Sequence, residues 1–117
     1  MTSRAPDDTA ALLPLPATVF HVLVALAGDD LHGYAIMQDV SDRTGVKLSP
    51  GALYTAIPRM LEQGLVTELR RPPDPVARDD ARRRYYRLTP FGRAVARAEA
   101  NRLADLVQHA RAKGLAR

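Results

Sequence analysis

The stretch from Arg59 to Pro90, RMLEQGLVTELRRPPDPVARDDARRRYYRLTP, constrains the fold more than any other part of this chain. It opens on the last turns of a helix that Gly64 stops. It closes on Thr89-Pro90, a capping residue followed by a proline suited to a first helical turn. Between these ends, Leu65–Arg70 and Arg84–Leu88 carry β-favouring residues, among them Val66, Thr67, Tyr85 and Tyr86. Pro72, Pro73 and Pro75 cannot donate ladder hydrogen bonds, so they belong to the connection and not to strand interiors. The segment therefore predicts a β-hairpin between two helices. From Arg70 to Arg87, seven arginines stand against three aspartates, a net +4 that equals the net charge of the whole chain; elsewhere ten basic and ten acidic residues cancel. A chain that concentrates its charge on one hairpin presents that hairpin to a polyanion.

The remaining pattern is helical. Pro14 and Pro16 precede ATVFHVLVALAG, which predicts a helix from about Pro16 to Gly28; its nearly continuous apolar positions imply burial on several sides. A second helix is expected over Gly33–Thr44, with Ile36, Met37 and Val40 inward and Gly45 as its stop. Ser49 caps a third, with Pro50 at its first position and Leu53, Ile57, Met60 and Leu61 at i, i+4, i+7 and i+8. After Thr89, one face of a final helix carries Phe91, Val95, Ala98, Leu103, Leu106, Val107 and Ala110 and reaches about Lys113. At 1.5 Å per residue that helix is about 35 Å long. Its apolar stripe exceeds what one small domain covers, so Phe91, Val95, Leu103, Leu106, Val107 and Ala110 are expected at a homodimer interface. The expected organisation is a flexible N-terminal arm over 1–13, with a short helical turn behind Asp7 and Asp8, a compact domain over 14–89, and a dimerisation helix over 90–117.

Several function classes are disfavoured. The chain has no cysteine, so neither disulfides nor thiolate metal sites are available. His21, His32 and His109 share no metal-ligand spacing, and His32 reads as a local hydrogen-bonding residue. There is no Gly-rich phosphate loop and no Ser/His/Asp set in a plausible order, so neither an enzyme nor a cofactor-binding protein is expected. The longest apolar run, Val22–Ala27, is far too short to span a membrane, and the polar, acidic N-terminus does not resemble a signal peptide. A cytoplasmic protein without a membrane partner is the expectation.

Two short helices joined by a turn containing Gly45 fit a helix-turn-helix, with Pro50–Gln63 as the helix that enters the major groove. A wheel at 100° per residue turns Gly51, Thr55, Pro58, Arg59 and Glu62 outward and leaves Tyr54 at the edge. Thr55, Tyr54 and Arg59 are the expected groove contacts, while Ser49 and Gly51 allow close approach of the backbone to phosphate. A hairpin directly after such a helix is a wing, from which Arg71, Arg82, Arg83 and Arg84 would reach phosphates or a minor groove. Tyr85 and Tyr86 alternate across a strand, one toward the core and one nearer the surface. Pro58 breaks the pattern: it removes an N–H and crowds the carbonyl of Tyr54, at a cost of about 3 kcal/mol in a regular helix. A kink or local break near 54–57 is expected.

At this point the chain resembles a known family. LHGYAIMQDV, LSPGALYTAI, RMLEQGLV and RRRYYRLTPFGR, in that order, are similar to the motifs of the PadR family of bacterial transcriptional regulators. The likeness runs over about Leu12–Gly114. Ser49, Pro50, Gly51 and Tyr54 match its recognition-helix motif, and Arg84, Tyr85 and Tyr86 its second wing strand. Pro58 departs from it, since many relatives have a basic or polar residue there. The resemblance implies a mainly α winged helix-turn-helix with a small β-hairpin, a homodimer made by terminal helices, and usually repression at a palindromic double-stranded DNA operator. The single short C-terminal helix fits the compact subgroup.

A small-molecule effector is compatible with this reading. The low aromatic content argues against an aromatic stacking pore, although Phe20, Phe91 and the methionines could line a small apolar cavity. The alternative from another class is a winged-helix protein-interaction module that docks an acidic partner through its basic hairpin. Against it, the face around Gly51 offers small residues where a protein partner favours large anchors.

Overall fold

The computed structural model describes residues 6–69 and 84–117. In chain order the described elements are α1 (Pro6–Ala11), α2 (Ala17–Gly28), β1 (Leu31–His32), α3 (Gly33–Thr44), α4 (Pro50–Glu62), β2 (Val66–Leu69), β3 (Tyr85–Leu88) and α5 (Pro90–Ala112). Three helices begin on side-chain caps. Nδ1 of His32 accepts the Ala35 N–H at 3.1 Å, Oγ of Ser49 accepts that of Ala52 at 3.1 Å, and Oγ1 of Thr89 accepts that of Gly92 at 2.8 Å. α3 ends at Gly45, whose φ of 73° suits a residue without Cβ and whose N–H bonds the Ser41 carbonyl.

α2 is the central helix. It packs on α3, α4, α5 and β3, as its all-round hydrophobicity requires. Around it Val22, Leu23, Ile36, Val40, Leu53, Met60, Leu65 and Val95 lose essentially all contact with solvent. The sheet is antiparallel with order β1-β3-β2. Leu31 faces Tyr86 and His32 faces Tyr85, while Val66 to Leu69 pair with Leu88 to Tyr85. The two-residue β1 was not expected, and it alters the tyrosines. β3 is the middle strand, so both Tyr85 and Tyr86 are buried, not one of them. Tyr86 joins the core, and Tyr85 meets the His32 ring edge-on with centroids 5.2 Å apart.

One junction fixes α5 to the hairpin. The Thr89 hydroxyl donates to the Gly64 carbonyl at 2.6 Å, and the Thr89 N–H donates to that of Leu65 at 3.1 Å. Gly92 completes it: a Cβ there would overlap the Leu65 carbonyl oxygen and lie 2.8 Å from the carbonyl carbon. Only glycine permits that approach.

Three further expectations change. The helical turn expected in the N-terminal arm is α1, but it packs on α5 and is not loose. The buried Glu99 secures the segment that follows: its carboxylate pairs with Arg102 at 2.6 Å and accepts the Leu15 N–H. Val95, placed at the dimer face by periodicity, is fully buried in the protomer's own core. The local break expected near 54–57 does not occur: α4 continues across Pro58, which lies on its exposed side. Removing one backbone donor there does not interrupt the helix, because Leu53, Ile57 and Met60 anchor both of its halves to the core.

Candidate nucleic-acid interface

α4 presents two unlike faces. Leu53, Ile57 and Met60 are buried and Leu61 is half-buried, whereas Gly51, Ala52, Tyr54, Thr55, Pro58, Arg59 and Glu62 are exposed. Ser49 is spent on capping. Its Oγ takes the Ala52 N–H and its carbonyl takes that of Leu53 at 3.0 Å. Pro50 has no N–H, so among the described residues Gly51 supplies the one first-turn amide of α4 without an internal acceptor. A Cβ at Gly51 would meet nothing within 4 Å. Packing inside the protein therefore does not explain this glycine.

Tyr54 is 53% exposed, yet its ring is seated on α3: a Cβ at Gly33 would overlap its hydroxyl and lie 2.9 Å from Cζ. Gly33 thus lets α3 and α4 cross closely under an aromatic ring. Sequence reasoning named Tyr54 but not this contact, which periodicity cannot reveal. Thr55 and Arg59 line an open groove of about 450 Å³ between α4 and the start of α2, together with Gly51, Val19, Met60 and Gln63. Phe20 and Phe91, expected around an apolar cavity, pack against the core and do not line this groove.

On the wing, Arg84 is largely exposed and lies 3.8 Å from Glu68, too loose a pair to neutralise it. Arg87 is committed elsewhere. Its guanidinium grips Asp30 with Nε and a terminal nitrogen, the shortest contact being 2.7 Å, and this holds its pKa above the ordinary value. Arg71, Arg82 and Arg83 lie outside the described residues. Burial, and secondarily Glu68, raise the Tyr86 phenol above its usual pKa, so it stays a neutral hydroxyl beside this surface. Among the described residues there is no cluster of His or acidic side chains that could hold a metal ion.

A helix-turn-helix followed by a hairpin whose second strand pairs with a short strand before the turn is a winged helix. Residues 22–98 match the Transcriptional regulator PadR-like family. The chain belongs to the PadR-like regulators. This membership makes it a DNA-binding regulator of transcription and not an enzyme. It is 35% identical over 92 residues to the transcriptional regulator Rv3488 of Mycobacterium tuberculosis, covering 79% of this chain and 80% of that protein. It is 39% identical over 85 residues, 73% of its length, to an uncharacterized 37.1 kDa protein in transposon TN4556 of Streptomyces fradiae, of which the chain spans only 22%. Among solved structures, a PadR family regulator from Clostridium difficile superposes with a TM-score of 0.71 at 22% identity, over 82% of this chain and 96% of that one. A transcriptional regulator from Clostridium thermocellum gives 0.67 at 20%, over 95% and 97%. These two likenesses carry the fold. Among the described residues no helix is long and apolar enough to cross a membrane.

Proposed function

We propose that this PadR-like protein is a sequence-specific repressor that binds a palindromic operator as a homodimer, with α4 in the major groove and the arginine-rich hairpin beside it. One observation carries the reading: the exposed first turn of α4 is built from small residues, Gly51 and Ala52, and Gly51 has no packing reason to be glycine. A protein partner favours large anchors, and this turn offers none, which favours DNA over an acidic protein docked on the hairpin. Ser49 serves as the cap that sets α4, Thr55 and Arg59 reach bases or phosphates, and Arg71, Arg82, Arg83 and Arg84 supply charge.

The dimer is supported by the distal half of α5. Leu106 and Val107 are 50% and 41% exposed there, well beyond the protomer's core. Leu103 and Ala110 lie on the same stretch, and Phe91 sits nearer the core. Burying such a stripe against a second copy sets two α4 helices about 34 Å apart, one turn of DNA. A small-molecule effector in the groove beside Thr55 and Arg59 would occupy residues that DNA needs, and so would relieve repression by direct competition. Leu106→Glu tests the coupling: it should yield folded monomers that no longer bind the operator. A monomeric variant with undiminished operator binding would overturn the homodimer reading.

A further inference from the structure

Tyr34 is 63% exposed, its hydroxyl has no hydrogen-bond partner among the described residues, and it lies outside the core. The core does not require an aromatic ring there, and its surroundings bear on what else it does. The Tyr54 ring lies across Gly33, the residue before it. His32 stacks on Tyr34, with centroids 6.4 Å apart and a tilt of 26°. His32 in turn pairs with Tyr85, and Tyr85 with Leu69, at the end of the sheet from which residues 70–83 connect β2 to β3. The exposed Arg84 precedes Tyr85 in the chain, at the same end of the sheet. Tyr34 and Tyr54, both exposed, thus meet at Gly33, where α3 passes α4.

A sugar–phosphate strand separates each major groove of a duplex from the neighbouring minor groove. A protein with one helix in the first groove and a hairpin at the second must let that strand cross the surface between them. Here that surface carries two phenols. We propose that Tyr34 and Tyr54 hold this strand, donating their hydroxyls to phosphate oxygens and laying their rings on deoxyribose. The proposal rests on the DNA-binding reading above and adds a contact set outside the recognition helix. It also moves Tyr54 from base reading to backbone positioning.

Neutral donors leave a signature that cations do not. A phosphate contact carries no sequence information, so its loss weakens operator and unrelated DNA alike. A phenol releases no counterion, so the dependence of log affinity on log salt keeps its slope, whereas removing one arginine contact lowers it by about 0.9.

The test uses an operator duplex selected from random DNA with the wild-type protein and a scrambled duplex of equal length. Tyr34→Phe and Tyr54→Phe, which preserve shape, are titrated against both at several salt concentrations, with Tyr34→Ala and Arg84→Ala as comparisons. Each phenylalanine variant should bind both duplexes roughly three- to tenfold more weakly, with an unchanged salt slope. Arg84→Ala should flatten the slope. Wild-type affinity in both Tyr34→Phe and Tyr34→Ala would overturn the proposal, and so would a loss confined to the operator duplex. If the wild-type protein selects and binds no duplex, the DNA-binding reading itself falls, an outcome distinct from the other two.

Discussion

Replacing Gly51 with alanine separates folding from recognition at a single atom. Gly51 has no positive φ, and an added Cβ would meet nothing within 4 Å, so the folded protein accepts the methyl group without strain. Alanine loses less backbone entropy than glycine on entering a helix, a gain of about 0.5–1 kcal/mol in a helix interior. In the first turn the lower figure applies, and about 0.5 kcal/mol corresponds to roughly 2–4 °C in Tm for a domain of this size. Binding should move the other way. The methyl group would stand between the Gly51 N–H and the DNA backbone, and losing that approach should weaken operator affinity at least tenfold, about 1.4 kcal/mol. Thermal unfolding followed by circular dichroism and a fluorescence-anisotropy titration read the two effects separately. A variant that is more stable yet binds as well as wild type would refute close approach by the first turn of α4. A variant that is less stable would refute the statement that Gly51 has no internal role.

Three further outcomes are expected. Gly92→Ala drives a Cβ into the Leu65 carbonyl, so denaturant unfolding should show a loss of about 3 kcal/mol or more, much larger than for any exposed glycine. Glu99 is held below the ordinary carboxylate pKa chiefly by its hydrogen bond to Arg102, so its stabilisation is full above about pH 4.5 and is lost as pH falls through the depressed value. Glu99→Gln should therefore lower stability by about 1–3 kcal/mol at neutral pH and make the acid limb of the pH–stability curve shallower; an unchanged acid limb would remove Glu99 from that role. Pro58→Lys restores a backbone donor in an unbroken helix and should raise stability by up to about 3 kcal/mol. If its selected operator matches that of the wild type, Pro58 has no part in operator choice.

Most elements were legible because their signals are local. Ser49-Pro50 and Thr89-Pro90 mark helix starts by capping chemistry, and the spacing of Leu53, Ile57 and Met60 fixes which side of α4 faces inward. What was missed depends on distant partners. Leu31–His32 is a strand only because β3, more than fifty residues later, pairs with it. The same pairing buries both Tyr85 and Tyr86, where alternation alone allows one. Arg87 counts toward a basic hairpin in sequence, yet Asp30, 57 residues away, claims it. Val95 shows the limit of periodicity: an apolar stripe tells which face is buried but not whether the protomer or a partner covers each position. At the candidate site, the identities of Gly51, Tyr54, Thr55 and Arg59 could be read from the helical wheel. The seat of Tyr54 on Gly33 and the exposed Tyr34 could not, since both arise from the crossing of α3 over α4.

The most direct measurement is selection of duplexes from a random DNA pool with the intact protein, followed by titration of the enriched sequence at about 150 mM salt, where surface charge is realistically screened. A DNA-reading α4 in a two-fold dimer should enrich a palindrome with half-sites about 10 base pairs apart, bound by two protomers in the nanomolar range. With about eight phosphates neutralised, log affinity should fall with log salt at a slope near −7. Recovery of no common sequence, with equal binding to every duplex, would contradict sequence-specific recognition by this face.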